Sequence, residues 1–389
     1  MEVANFSQNK PTPSAVMPFD PILAGGIIIL LCLGLVMVAS ASIALAERQL
    51  DQPFYYLQRQ ALFALLGVVT AGIIMRFPLE IWERAGRSIL LGAMLLLCIV
   101  LIPGIGYQVN GARRWLSFGL FAIQVSEFAK LSMIIYLASY IVRYDDQVRN
   151  QFMGFIKPLL VLAVIAFLLL LEPDFGAVVI ITLTTLGMLF LAGVKFRHFF
   201  LLLALIAAAF MGLIVTAPYR MQRLTSFVDP WADQFDTGYQ LTQALIAFGR
   251  GEWLGVGLGQ SVQKLFYLPE AHTDFIFAVM SEEFGLFGAL VFLIIYIVVI
   301  ARAFIIAEKA RLQKQSFASY LAYGIALWFA LQALISIGVN VGILPTKGLT
   351  LPFISYGGSS LLVTLIAVGL LFRVQIEVML KKTSTPYVE

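Results

Sequence analysis

The sequence predicts an all-α protein that crosses a lipid bilayer about ten times. Of its 389 residues, 60% are hydrophobic and only 12% are charged. Soluble domains carry roughly a quarter charged residues, so this chain has too few polar groups to cover a water-facing surface. It also contains repeated apolar runs close to the ~20 residues that a helix needs to cross about 30 Å of hydrocarbon. Both observations indicate a polytopic membrane protein.

Ten apolar segments are predicted as membrane spans. They lie at about 22–46, 57–75, 88–102, 125–142, 158–171, 177–194, 199–216, 275–300, 318–342 and 361–380. The first is long enough to stay in the membrane as a span, and no cleaved signal peptide is expected. The predicted organisation is a tail over 1–20, a ten-helix domain over 21–382 and a tail over 383–389.

Basic residues predict the orientation. The connections 76–87, 143–157, 195–198 and 301–317, together with the two chain ends, hold most of the 26 Lys and Arg residues. Short cytoplasmic connections carry an excess of positive charge. Both termini are therefore predicted to be cytoplasmic, and the other connections are predicted to lie outside.

Three of the predicted outer connections are unusually rich in Gly, Pro, aromatic and charged residues. They run over 103–124, 217–274 and 343–360, and the second is a large loop between spans seven and eight. Loops this long are uncommon unless they are functional or disordered, and their Trp, Tyr, Phe and Leu content argues against disorder. We expect ordered loops, with a short amphipathic helix over 237–247 and tight turns in the glycine-rich 249–259. The glycine pattern there follows no strand, so it does not indicate a nucleotide-binding loop.

Asp274 is the candidate catalytic residue. It lies where the segment 268–275 meets the eighth span, and partial desolvation there makes a carboxylate a stronger base. Such a group can take a proton from a substrate hydroxyl. An acid before a helix can equally serve as its N-cap, and spacing alone leaves both roles open. For the neighbouring His272, the residues favour a structural role over proton transfer.

Other charged residues cluster at the outer ends of the spans. Glu127 and Lys130 are three apart, so they share one face of the fourth helix, either as a structural ion pair or facing a substrate. Arg113, Arg114 and Lys347 add positive charge that the topology does not require. With Lys130 they suit an anionic head group, phosphate above all.

The residues thus leave two classes of function open. A transporter needs polar groups deep in its spans, whereas an enzyme acting on a lipid-linked anionic substrate needs them at the membrane surface. The outer location of the charges favours the enzyme. The turn 172–176 also carries two acids, and these are expected to be turn residues rather than catalysts.

Five motifs in fixed order resemble the SEDS family (shape, elongation, division and sporulation) of bacterial peptidoglycan polymerases. They are Asn110-Gly111-Ala112-Arg113-Arg114-Trp115, Ser126-Glu127-Phe128-Ala129-Lys130, Pro173-Asp174-Phe175-Gly176, His272-Thr273-Asp274-Phe275 with Glu282-Glu283, and Pro352-Phe353-Ile354-Ser355-Tyr356-Gly357-Gly358-Ser359-Ser360. The resemblance covers residues 20–382, and Thr346-Lys347 is similar to the division branch rather than the elongation branch. The chain departs from the family pattern at Val125, where a proline is common, and at Glu172, where a glutamine is common.

The resemblance implies a peptidoglycan glycosyltransferase that polymerises lipid II into β-1,4 glycan strands during septal synthesis. It implies Asp274 as general base, with substrate-binding roles at Arg114, Trp115, Glu127, Lys130, His272, Lys347, Ser355 and Ser359. The implied reaction displaces undecaprenyl pyrophosphate with inversion at the anomeric carbon. It implies no certain cofactor, although a divalent cation such as Mg²⁺ or Mn²⁺ is compatible with the departing pyrophosphate.

The resemblance also implies partners and a location. We expect a class B penicillin-binding protein as transpeptidase partner, further division proteins, no nucleic acid, and the bacterial cytoplasmic (inner) membrane at the division septum. The alternatives are a lipid II flippase, an elongation-branch polymerase and, as the weakest, a scaffold for the transpeptidase.

Overall fold

The computed structural model describes residues 19–109, 111–117, 119, 122–216, 221, 227, 229–236, 238–345 and 348–384. Twelve helices are assigned within these residues. In chain order they are α1 (Pro21–Leu50), α2 (Tyr55–Ile74), α3 (Leu79–Leu101), α4 (Val125–Arg143), α5 (Asp145–Asn150), α6 (Phe152–Leu171), α7 (Phe175–Leu191), α8 (Phe196–Val215), α9 (Tyr239–Gly251), α10 (Ile276–Leu312), α11 (Ser316–Asn340) and α12 (Gly358–Ser384).

Each of the ten predicted spans coincides with a helix. Among the described residues, eight helices are long and apolar enough to cross a membrane, namely α1–α4, α6 and α10–α12. The remaining two predicted spans are the shorter apolar helices Phe175–Leu191 and Phe196–Ala209. The chain is therefore a multi-pass membrane protein, while ten crossings and the cytoplasmic location of its ends remain predictions.

Some boundaries differ from the predicted ones. Helix α3 begins at Leu79 rather than near residue 88, and α10 continues to Leu312 rather than ending near 300. In both cases the extra turns carry charged residues. A hydropathy criterion leaves such turns out of a predicted span, although the helix continues beyond the hydrocarbon region.

A small antiparallel sheet lies between α3 and α4, where no strand was predicted. Its strands are β1 (Gly106–Val109), β2 (Ala112–Ser117) and β3 (Ala122–Gln124), in the order β1-β2-β3. Trp115 pairs with Tyr107 on one side and with Gln124 on the other. Strands of three to six residues are too short to show the alternation by which a strand is recognised in a sequence.

The candidate residues that the structure describes lie at one end of the helix bundle, here called the loop face. It carries the sheet, the turn 172–174, the segment 238–275 and the segments 341–345 and 348–357, which contact one another through the bonds described below. Of the predicted loop 217–274, positions 217–220, 222–226, 228 and 237 lie outside the described residues. The described part contains α9, which confirms the short helix predicted there.

The glycine-rich segment after α9 makes tight turns, as predicted. Gly255, Gly257 and Gly259 all have positive φ, between 79° and 102°, a conformation that glycine adopts without steric cost. Helix α10 is itself interrupted at Gly285, whose φ of 67° and ψ of −171° are not helical.

Candidate active site

Asp274 is held at the loop face, two residues before α10 begins. The turn before it is closed by hydrogen bonds from the Thr273 and Phe275 amides to the Glu270 carbonyl, both 3.1 Å. The side chain of Asp274 is half-buried. The N-cap position of α10 is Phe275, whose own side chain makes no capping hydrogen bond. The N-cap interpretation of Asp274 is therefore wrong, since the chain turns once more before the helix begins.

Helix α11 fixes the backbone of Asp274. Asn340, which is fully buried, donates from Nδ2 to the Asp274 carbonyl at 2.8 Å. The Oδ1 atom of the same amide accepts from the Ala278 N–H at 3.1 Å. One side chain thus ties the turn that carries Asp274 and the first turn of α10 to the end of α11.

The segment 348–357 runs along the other side of the acid. A Cβ atom built on Gly348 would lie 2.9 Å from Asp274 Oδ2, which is closer than atoms normally approach. Further along, the Tyr356 N–H donates to the His272 carbonyl at 2.9 Å. A side chain at position 348 would require the Asp274 carboxylate or the segment beside it to shift.

His272 lies in an aromatic cluster. Its ring centroid is 4.8 Å from that of Tyr56 and 5.6 Å from that of Tyr356, and the side chain is 9% exposed. Burial lowers the pKa of His272, against the opposing effect of Glu270. The imidazole is therefore neutral at physiological pH, and its contacts are those of a packed structural residue.

Glu127 and Lys130 form an ion pair in the interior. The Lys130 Nζ atom lies 2.9 Å from the Glu127 carboxylate, and their side chains are 2% and 8% exposed. Lys130 also donates to Gln332 Oε1 at 2.9 Å, and Gln332 Nε2 donates to the Thr350 carbonyl at 2.9 Å. The pair is thereby connected to the same segment that borders Asp274.

Arg114 binds the turn between α6 and α7. Its Nε donates to the Glu172 carbonyl at 2.9 Å, and its Nη2 donates to the Pro173 carbonyl at 2.6 Å. Trp115 follows it in β2 and is half-buried, as is Arg113. Lys347 lies outside the described residues.

The two acids of that turn differ in their surroundings. Asp174 caps α7 by accepting from the Ala177 N–H at 3.1 Å, which confirms its expected role in the turn. Glu172 is fully buried, and neither of its carboxylate oxygens has a hydrogen-bond partner among the described residues. Burial, to which the nearby Asp174 carboxylate adds, raises the pKa of Glu172 to about 9 against the opposing effect of Arg114. Glu172 is therefore an uncharged acid at neutral pH.

The two candidate serines are buried and hydrogen-bonded to backbone groups. Ser355 Oγ accepts from the Leu351 N–H at 2.8 Å. Ser359 Oγ accepts from the Gln124 N–H at 2.9 Å and donates to the Ala122 carbonyl at 3.3 Å. Their hydroxyls hold the 348–357 segment in shape and attach the start of α12 to β3.

Comparison with known proteins places the chain in a family. The FTSW_RODA_SPOVE family, described as cell cycle proteins, matches residues 22–379. The chain belongs to this family. The resemblance to SEDS proteins in the sequence is thereby confirmed.

Individual relatives match over nearly their full length. The probable peptidoglycan glycosyltransferase FtsW of Legionella pneumophila is 52% identical over 95% of this chain and 94% of its own. The protein of the same name from Nitrosococcus halophilus is 54% identical over 97% of this chain and 98% of its own.

Solved structures also resemble the fold of this chain. One is a chain from a peptidoglycan synthase complex that coordinates polymerization and crosslinking, with a TM-score of 0.76, 27% identity and coverage of 93% of this chain and 99% of that one. Another is the rod shape determining protein RodA of Thermus thermophilus, with a TM-score of 0.67, 26% identity and coverage of 92% and 97%.

In this member of the FtsW/RodA/SpoVE family, the segment 348–357 connects the separate candidates. Asp274 and His272 contact it directly, Lys130 reaches it through Gln332, and Ser355 lies within it. The turn bound by Arg114 packs on it too, since a Cβ atom on Gly176 would lie 2.9 Å from Leu349 Cδ2.

Sequence reasoning missed three residues that shape this site, namely Gln332, Asn340 and Gly348. Two of them are polar side chains inside an apolar helix, and a buried amide there must find hydrogen-bond partners. That requirement was a usable signal for Gln332 and Asn340. For Gly348 the sequence offered none, because the contact depends on how two distant loops meet.

The described residues do not show a set of side chains that would bind the expected divalent cation. Within the described ranges, no group of three or more His, Cys, Asp or Glu side chains is arranged to hold a metal ion. Metal dependence in this family member therefore stays an expectation from the chemistry of pyrophosphate.

Proposed function

We propose that this chain is a peptidoglycan glycosyltransferase that polymerises lipid II, with Asp274 as the general base. The observation that carries the proposal is the position of Asp274 at the loop face, where its backbone carbonyl accepts from Asn340 and its carboxylate lies beside Gly348. The support for the reaction class is membership of the family and the name peptidoglycan glycosyltransferase that relatives about 50% identical carry.

The reaction joins two lipid-linked sugars. Asp274 takes the proton from the GlcNAc 4-hydroxyl of an incoming lipid II. That oxygen attacks the anomeric carbon of the growing chain, and the bond from this carbon to the pyrophosphate oxygen breaks. A β-1,4 bond forms with inversion, Asp274 holds the proton, and undecaprenyl pyrophosphate leaves with the electron pair.

A general base must lie within hydrogen-bond reach of the proton that it removes. Misplacement by about 1 Å costs on the order of a hundredfold in rate. Asn340 holds the backbone carbonyl of Asp274, and the carboxylate lies beside Gly348. Both contacts suit a group whose position matters for the rate.

Negative charge builds on the departing pyrophosphate, and nearby cations stabilise the transition state. Arg114, Lys130 and Lys347 are the candidates for these cations, and we propose this role for Arg114 and Lys347. Arg114 is half-buried and uses Nε and Nη2 on backbone carbonyls, which orients its guanidinium. The bonds of Lys130 to Glu127 and Gln332 favour a role in positioning the 348–357 segment over direct contact.

We further propose that the loop face lies outside the cytoplasmic membrane and that the protein acts at the division septum. A class B penicillin-binding protein is the proposed partner, together with other division proteins. A solved structural neighbour belongs to a complex that coordinates polymerization and crosslinking, and relatives carrying the name FtsW support the division branch.

The test is polymerisation in detergent solution, where no membrane has to be crossed. The purified chain is supplied with lipid II, with and without the partner, and glycan strands are resolved by gel electrophoresis. We expect polymer from the wild type and none from Asp274→Ala, which controls for a contaminating polymerase. A folded wild-type protein that makes no polymer in either condition, yet moves lipid II across vesicle bilayers, would establish the flippase alternative instead.

A further inference from the structure

Helix α10 is broken eleven residues after Asp274, and another segment of the chain fills the break. In an unbroken helix the amides of residues 286 and 287 would donate to the carbonyls of 282 and 283. Here the Leu286 and Phe287 amides donate to the carbonyls of Glu252 and Trp253, at 2.9 and 3.1 Å. The helix has exchanged two of its own bonds for bonds to the segment 252–257.

The same segment satisfies the carbonyls that the break releases. The Val256 and Gly257 amides donate to the carbonyls of Glu282 and Glu283, both at 3.0 Å. The two backbones cross closely, because a Cβ atom on Gly285 would lie 2.3 Å from the Gly255 nitrogen. The two amides and two carbonyls that lose their helical partners at the interruption are therefore all hydrogen-bonded to the segment 252–257. The break is thus a well-bonded junction between this segment and α10.

Two buried carboxylates fix the segment 261–264 to this junction. Glu282 accepts from Ser261 Oγ at 2.5 Å and from the Val262 and Gln263 amides at 3.1 and 3.3 Å. The Arg250 guanidinium, at the end of α9, lies 3.5 Å from the same carboxylate. The side chain of Glu282 is fully buried.

Glu283 makes a second set of contacts. It accepts from Lys264 Nζ at 2.7 Å and from Ser40 Oγ at 2.6 Å, and Lys264 also donates to Ser40 at 2.8 Å. Glu283 is 1% exposed and Lys264 is 9% exposed. Ionisable groups inside a membrane protein usually pair and mark function, yet the proposed chemistry uses neither acid.

We infer that Glu282 and Glu283 are positioning residues for Asp274, acting by holding the segment 252–264 in the break of α10. Along the chain, Asp274 lies between the segment 252–264 and the break in α10. Because this segment is bonded to the break, the stretch of chain that carries Asp274 begins and ends at the same junction. Asn340 alone fixes only the backbone at Asp274 and Ala278. The inference rests on the proposed function of Asp274.

The ion pair Lys264–Glu283 gives the sharpest test. Removing one partner leaves the other as an unpaired buried charge, whereas Gln at both positions restores a neutral hydrogen-bonded pair. We expect Glu283→Gln and Lys264→Met to lower kcat for lipid II polymerisation by about a hundredfold, as expected for a base displaced by ~1 Å, with KM changed less than about threefold. Lys264→Arg and the double variant Lys264→Gln/Glu283→Gln should retain kcat within about tenfold of the wild type.

A matched control lies at the opposite end of α10. Asp20 and Arg302 form an ion pair there, and Asp20 is 2% exposed. Asp20→Asn should lower the thermal midpoint in detergent as Glu283→Gln does, but leave kcat unchanged.

The inference is overturned if folded Glu283→Gln keeps wild-type kcat, or if Asp20→Asn loses kcat as steeply. It is also overturned if the double variant folds but regains nothing over the single ones. Should Glu283→Gln fail to fold, the comparison of Lys264→Met with the double variant decides in its place. A wild type without polymerase activity would instead refute the proposed function, so the two failures are distinguishable.

Discussion

Asn340 donates a 2.8 Å hydrogen bond to the carbonyl of Asp274, sixty-six positions away in the chain. Its amide also donates to the Ser336 carbonyl and accepts from the Ala278 amide. The end of α11 thus determines where the candidate base lies.

Replacing Asn340 should loosen Asp274. Asn340→Ala leaves buried backbone groups without partners, at about 1–3 kcal/mol for each, and we expect a lower thermal midpoint together with roughly a tenfold or greater fall in kcat. Asn340→Asp keeps the acceptor for Ala278 but loses the donor to Asp274, so it should lose kcat as well. Full activity in Asn340→Asp, measured with lipid II, would show that the bond to Asp274 has no catalytic value.

A methyl group at residue 348 should displace the acid. Gly348→Ala puts Cβ 2.9 Å from Asp274 Oδ2, so the short Asp side chain must move, and we expect a rate loss on the order of a hundredfold. Gly249→Ala is the matched control, because nothing lies within 4 Å of its added Cβ. The control should keep its activity and gain up to about 1 kcal/mol of stability, as Ala does over Gly inside a helix. Equal activity of the two variants would argue against a fixed Asp274.

Glu172 should make stability depend on pH. Its pKa is raised from 4.5 to about 9 in the folded protein, so folding retains a proton that the unfolded chain releases above pH 4.5. Stability should therefore fall as pH rises from about 4.5 to about 9, by on the order of 1.4 kcal/mol per unit, and level off above that range. Glu172→Gln removes this ionisation and should be more stable at pH 7 by roughly 3 kcal/mol.

The measurement for Glu172 is the thermal midpoint in detergent at several pH values. The wild type should approach the Glu172→Gln variant as pH falls toward 5. Parallel curves for the two proteins across this range would mean that Glu172 is ionised in the folded state.

The Glu127–Lys130 pair should tolerate reversal. Lys130→Met leaves Glu127 buried and unpaired, which costs several kcal/mol, and it removes the link through Gln332 to Thr350. If the pair positions the 348–357 segment, the double change Glu127→Lys/Lys130→Glu should recover a substantial part of the activity that Lys130→Met loses. A folded double variant without any recovery would instead indicate that Lys130 contacts the substrate.

The apolar helices and the grouping of the described candidate residues near the helix ends were predictable because they depend on local sequence. Apolar length fixed where α1–α4, α6 and α10–α12 lie, and helical spacing placed Glu127 and Lys130 on one face, where they do pair. Hydropathy does not detect the charged helical turns at the membrane surfaces, so the predicted start of α3 and the predicted end of α10 were wrong.

What could not be predicted depends on contacts between distant segments. The approach of Gly348 to Asp274 and the bonds of segment 252–257 to the break at Gly285 arise only when the helices assemble. The sequence did indicate that Glu282 and Glu283 have bonding partners, because two adjacent acids at the membrane boundary need them. Their partners Ser261 and Lys264, however, lie in a loop without periodic pattern.

The most direct test of the central claim compares wild type with Asp274→Asn, which keeps the shape of the side chain but cannot accept the proton. Single-turnover formation of the first β-1,4 bond is measured with saturating lipid II, and folding is checked by the thermal midpoint. We expect a rate lower by about 10²–10⁴, the usual contribution of a general base. A folded Asp274→Asn protein that forms the bond within about threefold of the wild-type rate, far short of that contribution, would contradict it.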